Sequence, residues 1–351
     1  MRRALKLLSE SEYLRTHSLT EKNPTCIEFL KNAKVYQDQL LNHWKLFGSD
    51  SISHYNEITS NVEVNNDRLS FLKDEHFTKR LEKYSKQSIC LPDMAKTVCY
   101  GTESVQNSCF FIKSSKDIKL VTDYFTHASR GRDMFYNIQR ERKIWWMRYS
   151  ADPSRYVVES FDVSEESRDE FTKKCQSITI KSKTFGNTIE METIVLAHLN
   201  EFGQLNTILN NDVSVVRSVV DLNLATAGLL LDGVTDEHGR DVLKLNRKLA
   251  PYQCLLVSGE ISNEILNELC VHLKYVLNRA GLRLYDNHIS DAEDVGSIWS
   301  KADVLGIPYA VIVEKNALKT GLLRLRNRDT TLSETIHISD LKPYLLKLFK
   351  E

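Results

Sequence analysis

Apolar side chains recur along this chain at two spacings, one near three and a half residues and one of two, and the switches between them mark its elements. Ile27, Leu30, Lys34, Leu40, Leu41, Trp44 and Phe47 sketch a helical stripe in CIEFLKNAKVYQDQLLNHWKLFG, with Thr25 and Glu28 at capping-box spacing before it and Gly48 to end it. A polar stretch, 49–66, precedes a second helical pattern from about Asp67 to Ser85, and 91–107 reads as a loop. CFFIKSSKDIKLVTDYF, from Cys109 to Phe125, holds two strand-like runs around Ser114 to Asp117, the composition of a hairpin. A helix is predicted from about Arg132 to Tyr149, with Pro153 just beyond its end. Ser177 to Leu199 repeats the hairpin signal with Gly186 and Asn187 in the turn, and the β-branched run Val213 to Leu222 leads into a short apolar helix ending near Gly233.

Strands joined by hairpins with helices between them predict an α+β domain on an antiparallel sheet. From Val234 to Asn246 the chain turns polar (TDEHGRD), as an interdomain linker would. The remaining residues alternate: strand Tyr252 to Ser258, helix Ser262 to Ala280 stopped by Gly281, strand Leu282 to Tyr285, helix around Ser290 to Val304, strands Pro308 to Val313 and Leu322 to Arg326, and a final helix from Ser339 to Phe349. That order predicts an α/β domain with helices on a mixed sheet. The division is thus 21–240 and 247–351, after an N-terminal arm, 1–20.

Composition narrows the chemistry. At 351 residues two domains are expected. Lys plus Arg and Asp plus Glu are both 47, so no net field draws the molecule to a polyanion, and any such site must be a local patch. Seven scattered cysteines without ligand spacing read as reduced thiols rather than zinc ligands. No apolar run reaches the ~20 residues that span a bilayer, and no membrane partner is expected. MRRALKLLS carries Arg2, Arg3 and Lys6 among leucines with no acid before Glu10, the pattern of a short mitochondrial presequence and also of many ordinary helix starts.

The sequence offers no catalytic residue, cofactor site or metal site. Only 13 residues are glycine, and neither GxGxxG nor a Walker loop is present. His238 beside Asp236, Glu237 and Asp241 falls in the hydrophilic linker and reads as solvated. Within the helix RDMFYNIQRERKIWWMRY, Met134, Phe135, Ile138, Trp145, Trp146 and Tyr149 form the core side, while Arg132, Arg140 and Lys143 gather beside Tyr136 on another. That basic stripe fits either a solvated face or contact with backbone phosphates. Arg142 projects into the apolar side, so a buried acidic or carbonyl partner is predicted for it. On the late strand, Leu323 and Leu325 share one face while Arg324, Arg326 and Arg328 point the other way. This ladder suits either a charge-blunted edge strand or a docking surface for a protein subunit or nucleic acid.

LAPYQCLLV (Leu249 to Val257), LGIPYAVIV (Leu305 to Val313) and GLLRLRNRDTTLSETIHISDL (Gly321 to Leu341) resemble the anticodon-binding domain that ends several class II aminoacyl-tRNA synthetases. RNRDTTLSETIHISDLK (Arg326 to Lys342) and KIWWMRYSADPSRY (Lys143 to Tyr156) are similar to the accessory-subunit family of the animal mitochondrial DNA polymerase, DNA polymerase gamma. The resemblance implies a degenerate class II synthetase-like antiparallel domain without activity, followed by an anticodon-binding-like domain. In RSVVDLNLATAGLLLDG (Arg217 to Gly233), Asn223 to Thr226 stand where those synthetases carry a glycine and an arginine that clamp ATP. It further implies a processivity subunit of the mitochondrial matrix nucleoid that binds the polymerase catalytic subunit and primer-template DNA, as a monomer joining one to one. A working class II synthetase of the glycyl, prolyl, histidyl or threonyl group and a synthetase-like tRNA-binding adaptor are the alternatives.

Overall fold

The most β-branched run of the first domain, VSVVRSVVD, becomes the middle strand of its sheet, where both faces are covered and stiff branched side chains pack best. The computed structural model describes residues 1–17, 25–48, 54–61, 77–78, 81–82, 93–101, 110–113, 117–160, 175–199, 213–237, 239–259, 263–285 and 295–350. In chain order the first domain comprises α1 (Arg2–Glu10), β1 (Leu14–His17), β2 (Thr25–Phe29), α2 (Lys31–Leu46), β3 (His54–Asn61), β4 (Asp93–Gly101), β5 (Phe110–Lys113), β6 (Asp117–His127), α3 (Gly131–Tyr149), β7 (Tyr156–Ser160), β8 (Cys175–Thr184), β9 (Asn187–His198), β10 (Val213–Asp221) and α4 (Leu222–Gly233). A seven-stranded sheet runs β3-β4-β6-β10-β9-β8-β7, antiparallel except for β3 beside β4. Helices α1 to α4 share one core with the face carrying Leu120, Tyr124, Ile194 and Val216. Phe77 and Leu81 cover the opposite face over Ala95, Phe125, Val195 and Val215.

Several local expectations fail for identifiable reasons. Thr25 to Phe29 is a strand, not a helix start, because it pairs with β1 and β5, and the helix begins only at Lys31. The two runs around residues 114–116 are strands, but β5 joins a separate three-stranded sheet, β1-β2-β5, and β6 the large one, so they make a corner between sheets rather than a hairpin. The stretch read as a loop contains β4, an inner strand that lacks alternation because both its faces are buried. Its Lys96 ammonium donates to the carbonyls of Trp44, Lys45 and Phe47, ending α2 from a neighbouring strand. The hairpin β8–β9 forms as expected, but its two-residue turn is Phe185 and Gly186, both at positive φ, and Asn187 already pairs with Thr184 as the first residue of β9. The helical pattern 67–85 lies mostly outside the described residues, of which Phe77, Thr78, Leu81 and Glu82 are helical.

The expected polar linker is instead a hairpin, β11 (Val234–Glu237) and β12 (Arg240–Leu243), whose Val242 and Leu243 are buried. His238 lies outside the described residues. The second domain continues as β13 (Cys254–Ser258), α5 (Glu264–Arg279), β14 (Leu284–Tyr285), α6 (Val295–Val304), β15 (Tyr309–Val313), α7 (Ala317–Thr320), β16 (Leu322–Asn327), β17 (Ser333–His337) and α8 (Ile338–Lys350). Its sheet is mixed, as the alternation predicts: β13 is parallel to β14 and β15, and β16 is antiparallel to β15 and β17. Helices α5 and α8 pack on one face and α6 on the other, so the sheet is buried on both sides.

The basic N-terminal segment is part of the fold. Ala4, Leu5, Leu7 and Leu8 of α1 enter the large core, and Arg3 bridges Asp236 and Asp241 of the junction hairpin at 2.7 and 2.6 Å. Tyr13, fully buried, donates its hydroxyl to the Leu305 carbonyl of the second domain. Replacing Leu8 with alanine is therefore expected to cost about 2–5 kcal/mol in urea unfolding of the full chain; a change below ~0.5 kcal/mol would show that α1 is not a core element.

Candidate partner and nucleic-acid interface

The three arginines expected to form a cationic ladder are separated by the fold. On β16, Leu323 and Leu325 enter the core as predicted. Arg324 is exposed and pairs with Glu314 at 2.8 Å. Arg326 is buried, because α6 covers the face on which it lies: its two Nη atoms donate to the Asp303 carboxylate at 2.8 and 2.9 Å, and its guanidinium lies over Trp299. Asp303 also receives Arg240 of β12 at 2.7 Å. Arg328 is buried too and donates to the carbonyls of Leu243, Gly306 and Leu245 at 3.1, 2.9 and 3.0 Å. Arg326 is thus held inside the second domain, on a carboxylate it shares with Arg240 of the junction hairpin, Arg328 ties that domain to the segment at the end of β12, and Arg324 alone of the three meets solvent. Period two identifies a face; it does not say what covers that face.

The stripe on α3 survives. Arg132, Arg140 and Tyr136 are exposed and Lys143 is half-buried, all within about 80° of the helix circumference. Arg140 holds Asn137 at 3.2 Å. Exposed Asp133 and Glu141 stand on neighbouring positions, so the field is local and mixed. The inner face is fixed by the predicted buried pair: the Arg142 Nε–H is shared between both oxygens of Glu192, at 2.8 and 2.9 Å, which also accepts the Trp146 indole N–H at 2.6 Å and the Ser218 hydroxyl. Phe47 and Trp145 stack about the Arg142 guanidinium. The carboxylate offsets much of the cost of taking that charge out of water, although the buried Arg142 Nη2 has no hydrogen-bond partner among the described residues, and the pair fixes the rotation of α3 and hence which way its stripe faces.

On the opposite face of the large sheet, Arg217 of β10 meets Asp123 directly across the ladder in a bidentate pair at 2.6 and 2.8 Å, with Phe77 over its guanidinium. The guanidinium is held by these two protein groups. Nearby, Asp221 caps α4 through the Leu224 N–H at 2.8 Å, and burial followed by the charge of Asp117 pushes its carboxyl up to about 7. A carboxyl raised on folding favours the folded state when protonated. Its contribution is complete below its ordinary pKa, about 3.9, and is lost as pH rises through about 7.

Both arrangements can be tested by substitution. Arg328→Lys cannot reach three carbonyls and is expected to destabilise the chain by about 3 kcal/mol, read by urea unfolding, and to expose the domain junction to limited proteolysis. Asp221→Asn keeps the cap and removes the titration, so the stability difference between pH 5 and pH 8 should shrink relative to the parent chain; an unchanged difference refutes the buried-acid account.

Residues 253–348 match a family model described as the anticodon binding domain. The chain is 35% identical to the protein named DNA polymerase subunit gamma-2, mitochondrial, of Drosophila melanogaster, over all of this chain and 99% of that protein. The protein of the same name from Xenopus laevis is 27% identical over 59% of this chain and 48% of its own length. A glycine–tRNA ligase of Methanothermobacter thermautotrophicus is 28% identical over 34% of this chain and 20% of its own length.

Proposed function

The chain belongs to the mitochondrial DNA polymerase subunit gamma-2 family, and from that premise we propose that it is a non-catalytic subunit that binds the polymerase catalytic subunit and strengthens its hold on primer-template DNA in the mitochondrial matrix nucleoid. The full-length likeness to the Drosophila melanogaster protein carries this reading. The engagement of Arg217 with Asp123 supports it, since the guanidinium on that strand is not offered to a nucleotide. So do the contacts that tie the second domain to the junction hairpin, Arg240 to Asp303 and Arg328 to the Leu243 and Leu245 carbonyls, which link the surfaces of both domains. One copy per catalytic subunit is proposed, because the match runs end to end with the Drosophila melanogaster protein but covers only half of the Xenopus laevis one. Light scattering that returned a tight homodimer would remove the one-to-one assembly.

Such a subunit needs no chemistry of its own. Contacts that favour the DNA-bound state by ~2.7 kcal/mol slow dissociation about a hundredfold. In a primer-extension assay with the purified catalytic subunit, adding this chain is expected to lengthen products, less so as salt rises. Charge reversal of the exposed stripe, Arg132→Glu with Arg140→Glu and Lys143→Glu, is expected to shorten them again. Unaltered product length with that variant would acquit the stripe, and no effect of the parent chain would overturn the function. The glycine–tRNA ligase likeness favours one second reading, a tRNA-binding adaptor, which would bind tRNA and leave primer extension unchanged.

A further inference from the structure

Where α2 and α3 end against the second domain, cations from both domains converge. Arg283, just before β14, reaches back across the joint: its Nη1 donates to Gln39 of α2 at 3.1 Å, and its Nε and Nη2 donate to the carbonyls of Ala250 and Lys248 at 2.9 to 3.2 Å. The loop carrying Arg247 and Lys248 is tied to the last turn of α3 by Asn246, whose amide donates to the Arg148 carbonyl at 2.8 Å. Tyr149 of the same turn meets His43 of α2, hydroxyl to ring nitrogen at 3.2 Å. Burial and then the charges of Lys248 and Arg283 hold the His43 imidazole below its ordinary pKa, so the charged groups that act on this ring are cationic. Among the described residues no carboxylate forms an ion pair with Arg148, Arg247 or Arg283, whereas Arg326, Arg217 and Arg142 each have one. Arg148 is exposed, and Arg247, Lys248, Arg283 and His43 are partly so.

We propose that this junction is a phosphate-backbone site, in which Arg148, Arg247 and Lys248 contact a nucleic-acid duplex and Arg283 supplies a fixed charge behind them. Guanidinium groups on segments tied to one another and without carboxylate partners among the described residues give a local positive field, and a polyanion that meets it releases its own condensed ions. The side chains come from a helix end, a loop and a strand approach, with no element shaped to enter a groove, so the site reads phosphates and not bases. The proposal rests on the reading that the chain works on primer-template DNA, and it names where that DNA touches.

The test uses the full chain and a fluorescein-labelled primer-template duplex, with anisotropy measured over a series of KCl concentrations. Arg148→Glu with Arg247→Glu and Lys248→Glu is expected to weaken binding at least tenfold and to reduce the slope of log affinity against log salt by about 2 to 3, roughly 0.9 for each phosphate no longer neutralised. Arg148→Lys with Arg247→Lys should keep the slope. If the triple variant does not fold, Arg148→Gln with Arg247→Gln should still lower the slope by about 2. An unchanged slope in a folded variant overturns the proposal, as does failure of the parent chain to bind the duplex. A transfer RNA arm separates the sources: binding of tRNA without duplex DNA overturns the assignment to DNA. No polymerase is present, so a chain that binds as expected here yet fails to lengthen primer-extension products disproves the subunit function and leaves the site standing.

Discussion

A guanidinium removed from water must be answered by oxygen atoms at fixed positions, and this fold meets that demand repeatedly. Arg142 with Glu192, Arg217 with Asp123 and Arg326 with Asp303 are buried ion pairs, and Arg328 is satisfied by backbone carbonyls from either side of the domain joint. Breaking any such pair leaves a charge stranded in a medium of low dielectric, a cost of about 3–5 kcal/mol. Each pair therefore imposes geometry beyond its own atoms. The first sets the rotation of α3, the second spans two strands on the face of the large sheet away from helices α1 to α4, and the Arg240–Asp303 and Arg328 contacts tie the second domain to the junction hairpin.

Much of the architecture was legible because independent local signals agreed. The helix α3 had apolar period, length and a following Pro153 in common; the hairpin β8–β9 had strand composition and a turn glycine; the second domain alternated strand and helix throughout. The errors arose where tertiary pairing overrode a local signal. Thr25 and Glu28 had the spacing of a helix cap, yet their segment lies between two strands that recruit it. DMAKTVCYG lacks alternation because both its faces are buried, and its lysine serves the end of a helix remote in sequence. β17 and the short helix α7 carried no signal strong enough to separate them from the loops around them.

The interface was legible to a lesser degree, for a related reason. Arg142 was assignable because its helix face had to be apolar, so a charge there demanded a partner. Arg326 and Arg328 were misplaced because alternation on a strand cannot reveal a helix, α6, that arrives from a different part of the chain. The junction cations were missed altogether: His43, Arg148, Lys248 and Arg283 are dispersed in sequence and meet only through the packing of α2, α3 and the joint. With acidic and basic residues equal in number, a patch of this kind leaves no trace in composition.

The burial of α1 sets an order of events. Its leucines face the core and Arg3 is clasped by two aspartates of a hairpin more than two hundred residues away, so the segment acquires its native surroundings only after nearly the whole first domain has been made. Any receptor or protease that recognises a basic amphipathic helix must meet this one while the chain is still unfolded. Once the domain has folded, Leu5, Leu7 and Leu8 are hidden from it, and only the basic side, with Arg2, Arg3 and Lys6, still faces solvent.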